Sequence, residues 1–439
     1  MRHTGLLIFI LMVLLGYMSL DAKPVLQITD TLGRQYVPVE WEEIDDISIQ
    51  EQGNKTLMRI SGPEKVREVI LEESSIINGN TVPLVTITTD EYMEEIPDKI
   101  NYQTARINIR GFGEFEDFEG EVSIRGRGNS SWKYWDKKPY RLKFDKKQQL
   151  CGLNKAKSYV LTANWTDVSL MQNPMAAFLA KMLGLPYTNT FIPVDVIFNG
   201  SYRGSYLLTN KPGINAGSVD IDEEKSVMWE LDDSYDEDFK FMSPIYNLPV
   251  MLKDPDMDAE RFEYWKQDFI AMEEAVSRGE VEEWIDVDTY ARYRTVYTIL
   301  YNKEIGHPKS LMLYKTEGGK YQFGPIWDFD VALGYLFDED LSYTDKEIRY
   351  DIWLPKLMTA IEKNKRCQEL LTYYFKYFLE NEQLLWDYVE ELEPQIRNSA
   401  IRNNIKWKTR GDWEDNVEKM KSWLHRRIEI LKTKYKYAN

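Results

Sequence analysis

The sequence predicts an α+β fold with a β-rich N-terminal half and a mainly helical C-terminal half. Short segments that alternate apolar and polar residues recur up to about residue 210, and this period of two is typical of half-buried strands. From about residue 258 onward, apolar residues recur every three to four positions, as they do on the buried face of a helix. Aromatic residues make up 13% of the 439 residues, which favours a packed globular protein over a disordered one.

The N-terminal half contains most of the predicted strands. Residues 26–41 have the pattern of a hairpin that turns through Gly33. Further strands are predicted at 81–90, 104–113, 119–128, 139–145 and 158–165, from their Val, Ile and Thr content and their alternation. A hairpin across 191–210 turns at Asn199-Gly200, a dipeptide that favours a two-residue turn.

The first predicted helix is the amphipathic segment 169–184, which ends at Gly184. After residue 258, helices are predicted at 260–279, 290–306, 356–380, 383–402 and 412–435. A hairpin at 310–334 interrupts them, with its two strands joined by residues 317–319. This hairpin carries two carboxylates separated by one residue, Asp328 and Asp330.

The N-terminus has the layout of a secretory signal peptide. Arg2 precedes an apolar run, and Ala22 is a suitable cleavage point. We therefore expect export to the periplasm, the cell surface or the extracellular space, with no transmembrane span after signal removal. An uncleaved anchor is the alternative, although the run is slightly short for a full span.

The predicted parts of the chain are a signal peptide at 1–22, a β-rich extension at 23–80, a β-rich part at 81–257 and a helical part at 258–439.

Composition excludes several classes of protein. The 55 Lys and Arg against 72 Asp and Glu give a net charge of −17, so nucleic acid is a poor general partner. Two cysteines, Cys151 and Cys367, do not make a disulfide scaffold in so large a chain, whether they pair or stay free. Beyond the signal, only His307 and His425 remain, too few for a histidine-rich zinc site. Any metal should be a hard cation held by carboxylates.

Charge is distributed unevenly along the chain. Residues 124–157 contain eleven Lys or Arg and two acids, a local net of +9, whereas residues 220–240 contain ten acids and two lysines. Within the basic stretch, the alternation at 139–145 predicts a strand that buries three apolar side chains. The same alternation places Arg141 and Lys143 together on the opposite face.

These features together suit phosphoryl transfer. A loop with Gly126 and Gly128 beside a cationic strand suits a phosphate, because glycines let backbone N–H groups approach the anion. The pair Asp328 and Asp330 suits Mg2+, which would bridge the same phosphates. Neither the glycine loop with its cationic strand nor the acid pair is specific by itself. A basic strand is usually a solvated face, and such an acid pair is as often structural as it is metal-binding.

Several motifs, in the same order, resemble the spore coat protein H (CotH) kinase family. They are "IRGRGNSSW", "KKPYRLKF", "NWTDVSLMQNPMA", "GSYLLTN" and "GGKYQFGPIWDFDVALG". The resemblance runs from about residue 80 to about residue 340. It implies an atypical protein-kinase-like two-lobe fold, with 81–257 as the N-lobe-like part and 258–439 as the C-lobe-like part. It also implies transfer of phosphate from ATP to a protein hydroxyl with Mg2+ or Mn2+. The implied partners are the nucleotide and an exported or cell-surface protein.

The resemblance also implies site residues. Those expected near the nucleotide phosphates are Arg125, Arg127, Asn129, Lys138, Arg141 and Lys143. Lys143 resembles the phosphate-contacting kinase lysine, with Lys138 as second candidate. Asp328 matches the metal-binding aspartate, and Asp330 supports it. Arg125 and Arg127 have an alternative role as ion-pair partners of the acidic stretch 220–240.

The chain departs from the family pattern at the expected catalytic base. Ile305 stands where the family has an aspartate, and an isoleucine cannot accept a proton. Glu304 is the nearest acid and is our candidate catalytic residue together with Asp328, while Asn302 is a candidate metal ligand. His307 is another possible base, although a His-Pro pair in a loop is more often structural.

A second departure is Asn210, where the family commonly has glutamate; Glu230 is a possible replacement. Both departures leave two functions open besides the kinase. One is a kinase-like pseudoenzyme that acts as a surface or periplasmic binding module for protein or glycan. The other is a purely structural surface protein.

Overall fold

The computed structural model describes residues 81–91, 93–333 and 354–436, together with the backbone of five strands between residues 25 and 72. The predicted signal peptide lies outside the described residues. Strands β1 (Val25–Thr29) and β2 (Gln35–Glu40) pair antiparallel, which confirms the first predicted hairpin. A separate three-stranded antiparallel sheet follows, made of β3 (Asp46–Gln52), β4 (Lys55–Ser61) and β5 (Val66–Glu72).

Seven further strands close into a barrel. They are β6 (Leu84–Thr89), β7 (Gln103–Arg110), β8 (Phe118–Gly126), β9 (Tyr140–Gln148), β10 (Ala156–Thr162), β11 (Ile192–Phe198) and β12 (Ser201–Asn210). Their order is β10-β12-β11-β6-β7-β8-β9, with β9 pairing back onto β10. Only the β6–β11 contact is parallel. Closure leaves this sheet without a free edge.

Alternation in the sequence explains the barrel interior. Along β9, Tyr140, Leu142 and Phe144 are buried, while Arg141 and Lys143 lie on the outer face, as predicted. The predicted turn between β11 and β12 is also confirmed. Asn199 and Gly200 both have positive φ, 44° and 72°, the conformation that favours Asn-Gly in a two-residue hairpin turn.

A second sheet of five strands lies outside the barrel. Its members are β13 (Ser226–Leu231), β14 (Lys240–Met242), β15 (Pro249–Asp254), β16 (Leu311–Thr316) and β17 (Gln322–Phe323), in the order β14-β15-β13-β16-β17. The hairpin predicted inside the helical half is therefore confirmed as β16–β17, but its second strand ends at Phe323, so Asp328 and Asp330 lie in the loop that follows the hairpin and not on it. Sequence reasoning did not place it in one sheet with strands from before residue 257.

The helices cover most of the remaining chain. They are α1 (Ser130–Tyr134), α2 (Gln172–Met182), α3 (Ala259–Ser277), α4 (Val281–Trp284), α5 (Val287–Leu300), α6 (Lys356–Ile361), α7 (Lys365–Glu380), α8 (Gln383–Trp407) and α9 (Trp413–Lys436). The single helix predicted at 356–380 is two helices, because the Asn364 side chain caps α7 by accepting a hydrogen bond from the Cys367 N–H. In the described part of the chain, every helix is too short or too polar to cross a bilayer.

Three clusters of buried apolar side chains hold these elements. One fills the barrel, and the largest lies between the helices and the second sheet. The third contains residues of both the barrel and the second sheet, among them Val160 of β10 and Met228 of β13, together with Trp327. Cys151 and Cys367 are both buried and unpaired with each other.

Candidate functional site

A cleft with a volume of about 970 Å³ opens between the outer face of the barrel and the second sheet. Its barrel side carries cations and its opposite side carries carboxylates. The barrel-side cations include Arg125, Arg127, Arg141 and Lys211, while Lys253 and Lys309 lie among the carboxylates of the opposite side and pair with them. The carboxylates include Glu230, Asp232, Glu304, Asp328 and Asp330. Opposite charges on facing walls suit a ligand that has both anionic groups and a bound cation.

The cationic wall contains side chains that have no anionic partner. Arg141 lies opposite Arg125 in the β8–β9 ladder, and its buried Nε atom has no hydrogen-bond partner. Within the described residues, Arg127, Arg141 and Lys211 form no ion pair. Burial lowers the pKa of Lys211 to about 8, although the Asp254 charge acts in the opposite direction. Desolvated cations without a partner favour an anionic ligand.

Arg127 lies on the loop between β8 and α1, and contacts with residues outside this loop position it. Its guanidinium lies 5.3 Å from the centroid of the Trp327 ring, and its backbone N–H donates to the Pro139 carbonyl. Burial lowers its pKa, whereas the charge of Asp328 raises it. This arginine therefore lies between the two walls of the cleft.

The two glycines of this loop have a packing role as well. A Cβ at Gly126 would overlap the Trp132 ring, and Gly128 has a φ of +84° with Ser131 against it. Only glycine combines that backbone conformation with such close neighbours. The glycines thus allow the turn that brings Arg127 to the cleft.

Two asparagines hold the acidic loop that follows β17. Asn302 donates from Nδ2 to the Asp328 carbonyl at 3.0 Å. Asn173, near the start of α2, accepts from the Phe329 N–H at 2.9 Å and donates to the Asp330 carboxylate. Asp328 has a φ of +62°, a left-handed conformation that costs free energy in a non-glycine residue and is common at functional sites. The hydrogen bonds of Asn302 and Asn173 maintain this conformation of Asp328.

The carboxylates on this wall are buried, and their negative charges repel one another. Burial, followed by the charge of Asp328, raises the pKa of Glu304 to about 9. Burial also raises the pKa of Asp328, against the opposing charge of Arg127. The pKa of Asp330 is raised by burial and by Asp328. Glu304 has a buried Oε2 atom without a hydrogen-bond partner, although the charge of Lys309 opposes the rise in its pKa.

The donor set fits a divalent cation that is completed by phosphate. No three His, Cys, Asp or Glu side chains among the described residues are arranged to hold a metal by themselves. Mg2+, however, is usually bound by one or two carboxylates together with substrate phosphates and water. Asp328 and Asp330 supply two carboxylates, and the unpaired cations opposite them suit the phosphates.

The structure brings seven of the predicted site residues into this cleft. They are Arg125, Arg127, Asn129, Arg141, Glu304, Asp328 and Asp330. Two of them also make internal contacts: Arg125 donates to the Lys99 carbonyl, and the Asn129 side chain accepts from the Lys99 ammonium at 2.9 Å. Arg125 and Arg127 form no ion pair with residues 220–240 in the described part of the chain.

Three predicted residues lie outside the cleft lining. Lys143 is exposed on the outer face of β9, 5.7 Å from the Tyr102 ring centroid. Lys138 donates to the Trp132 carbonyl at 2.8 Å. Asn302 is fully buried, with Oδ1 accepting from the Glu304 N–H and Nδ2 bonded to Asp328. Its amide therefore orients the acidic loop.

Both departures from the family pattern have a local structural context. Ile305 is buried at the end of a 3-10 turn, Lys303–Ile305, while Glu304 of the same turn lines the cleft. Asn210 is buried and donates to the Asn154 carbonyl at 2.9 Å. Glu230 lines the cleft and forms an ion pair with Lys253 at 2.6 Å.

Sequence reasoning missed Lys211, Asn173 and the buried Lys137. A signal existed for each, because Lys211 directly follows the motif "GSYLLTN" and the other two lie inside or beside quoted motifs. Their roles follow from contacts between distant parts of the chain.

The fold and the cleft thus define a protein with a barrel, a second sheet and a site of opposed charges between them. Residues 124–431 match the family described as CotH kinase protein. This match covers well over half of the chain, so the protein belongs to that family. No match is found among curated proteins.

Proposed function

We propose that this protein is an exported protein kinase that transfers the terminal phosphate of ATP to a protein hydroxyl. One observation carries the proposal: cations without an ion pair face Asp328 and Asp330 across a single cleft. Membership of a kinase family supports the same conclusion. The N-terminal apolar run supports export, which brings the enzyme to exported or cell-surface acceptors.

The proposed nucleotide contacts lie on the cationic wall. Arg127, Arg141 and Lys211 bind the phosphates by charge-assisted hydrogen bonds, because these cations have no other anionic partner among the described residues. Asp328 and Asp330 would hold Mg2+ or Mn2+, whose charge offsets that of the phosphates. Asn302 and Asn173 keep both carboxylates in position through the bonds described above.

Glu304 takes the role of the base that is missing at Ile305. The acceptor oxygen forms a bond to the γ-phosphorus, the bond from that phosphorus to the β–γ bridging oxygen breaks, and ADP leaves. The hydroxyl proton passes to the Glu304 carboxylate. Because the ligand-free pKa of Glu304 is about 9, its charged form needs positive charge nearby, which Lys309 supplies in part.

The test compares Asp328→Asn with the wild-type protein. Asparagine has nearly the same shape and tolerates the positive φ at this position. A ligand at one hundred times its Kd stabilises the folded state by about 2.7 kcal/mol. We expect ATP with Mg2+ or Mn2+ to raise the melting temperature of the wild type and of the exposed-site control Asp90→Asn. This shift should be absent in Asp328→Asn, and an undiminished shift would refute the assignment.

A transfer assay with labelled ATP then separates an enzyme from a binding module. Glu304→Gln should keep the nucleotide-dependent thermal shift and lose about 10²–10⁴-fold in transfer rate. If the wild type binds nucleotide but transfers no label to any added protein, the pseudoenzyme alternative replaces the kinase. If Glu304→Gln transfers label at the wild-type rate, Glu304 is not the base.

A further inference from the structure

The β9–β10 hairpin carries five exposed lysines that the cleft does not use. They are Lys143, Lys146, Lys147, Lys155 and Lys157, called here the lysine surface. Across residues 143–157 the only acid is Asp145. Within the described part of the chain, none of these lysine side chains forms an ion pair or a hydrogen bond.

The nearest strand does not neutralise this charge. On β8, Glu121 lies opposite Arg106 of β7 in the ladder, and Glu119 lies 3.7 Å from the Arg106 guanidinium. These two acids therefore already face a cation on their other side. The lysine surface remains positive in a protein whose net charge is −17, and so it contrasts with most of the molecule.

The lysine surface begins next to the cationic wall of the cleft, at Lys143. Lys143 follows Arg141 by two residues on the same face of β9, a separation of about 7 Å along a strand. In the ladders, Arg141 lies opposite Arg125 and Val160, both of which line the cleft, and Lys143 lies opposite Ser158. A chain that leaves the cleft along β9 meets Lys143 first, and the other four lysines lie further along the β9–β10 hairpin.

We propose that the lysine surface binds an acidic segment of the acceptor protein while the acceptor hydroxyl lies in the cleft. This inference rests on the proposed kinase function. The barrel is closed, so a peptide cannot be recognised by adding a strand at this place, and side-chain charge has to supply the recognition. A negatively charged acceptor is repelled by most of this acidic protein and attracted here, which orients its approach.

The test uses a triple variant that removes three of the five charges, Lys143→Gln, Lys147→Gln and Lys157→Gln. Its matched control removes three exposed lysines of the helical half, Lys363→Gln, Lys376→Gln and Lys419→Gln. The probe is a fluorescein-labelled peptide of repeating Glu-Ser-Glu, and its affinity is measured by anisotropy at low and high NaCl. A Lys-Ser-Lys peptide and phosphatidylglycerol vesicles serve as competing probes.

We expect the first triple variant to bind the acidic peptide about tenfold more weakly than the control triple, with a smaller dependence on salt. Equal binding by the two triples, or tighter binding of the Lys-Ser-Lys peptide, overturns the proposal. Binding of vesicles without binding of the acidic peptide also overturns it, in favour of a membrane surface.

The nucleotide-dependent thermal shift of both triples is measured in parallel. If the shift is retained while peptide binding is insensitive to the lysines, only the lysine-surface proposal fails. If no form of the protein responds to nucleotide, the proposed kinase function fails, and the peptide result still reports on the lysine surface.

Discussion

Lys137 is a buried lysine beside the acidic loop, and its environment makes its charge costly. The ammonium donates to the Ser205 carbonyl and to the Asn403 side chain, and only 1% of the residue is exposed. Burial lowers its pKa to about 7, although the charges of Asp330 and other acids act in the opposite direction. Its charge therefore changes within the physiological range of pH.

This environment predicts a pH dependence of stability. Between about pH 7 and the ordinary lysine pKa, the unfolded chain binds the Lys137 proton more often than the folded chain does. The free energy of unfolding should therefore rise with pH in this window. Lys137→Met lacks this contribution, so its stability should rise less steeply between pH 7 and 9.5 when measured by urea unfolding. Parallel slopes for the two proteins would show that Lys137 is not the titrating group.

At the residue scale, the sequence predicts which way a side chain points better than where it lies in the molecule. Alternation correctly assigned Arg141 and Lys143 to the outer face of β9. The second sheet covers that face only in part, so Arg141 lines the cleft and Lys143 is exposed. The covering strands are distant in sequence, and no local pattern contains them.

At the scale of elements, helix α8 fastens the helical half to the β11–β12 hairpin. Asp195 of β11 accepts from the Ser399 hydroxyl and pairs with Arg402. One turn further, the Asn403 Oδ1 atom accepts from both the Ser205 N–H and the Lys137 ammonium. These contacts link three distant segments behind the acidic loop.

The Asn403 contacts predict a large effect of a small substitution. Asn403→Ala removes the side-chain acceptor of the buried Ser205 N–H and one of the two acceptors of the Lys137 ammonium, and each loss costs about 1–3 kcal/mol. The free energy of unfolding should therefore fall by several kcal/mol in chemical denaturation. The control Asn404→Ala removes one exposed bond to the Gly411 carbonyl and should change stability little. Equal losses of unfolding free energy in the two variants would show that the attachment of α8 to the β11–β12 hairpin does not depend on Asn403.

The elements that sequence reasoning missed have a physical reason in common. Every residue of β13 is buried, so the strand shows no alternation, which is the signal that identifies half-buried strands. The acidic surroundings at 220–240 also favour a loop interpretation. Closure of the barrel depends on pairing of β11 with β6, separated by more than one hundred residues, and no local pattern specifies such a contact.

At the scale of the whole molecule, the cleft lies over the joint between two cores. The third cluster packs β10 of the barrel against β13 and Trp327, and the charged walls extend on either side of it. Arg127 and Asp328 are about two hundred positions apart in the sequence. The motifs indicated both charge types, but only the fold shows that they face each other.

Arg141 of the barrel and Arg402 of helix α8 allow function and stability to be separated across the whole molecule. Arg141 lines the cleft without an ion pair among the described residues, and burial lowers its pKa. Arg402 is mostly buried and pairs with Asp195 away from the cleft. If the cleft binds phosphate, Arg141 contributes to ligand binding, whereas Arg402 stabilises the fold.

Arg141→Gln should therefore weaken ATP binding in the presence of Mg2+ by about tenfold or more, while the unfolding free energy of the ligand-free protein stays level or increases. Arg402→Gln should cost about 3–5 kcal/mol, because it leaves the buried Asp195 charge without its cation. Its ATP affinity should be unchanged when measured below its melting temperature. Calorimetric titration and urea unfolding of both variants give the four quantities. If Arg141→Gln destabilises the ligand-free protein as much as Arg402→Gln does, the cationic wall is structural and the phosphate assignment is wrong.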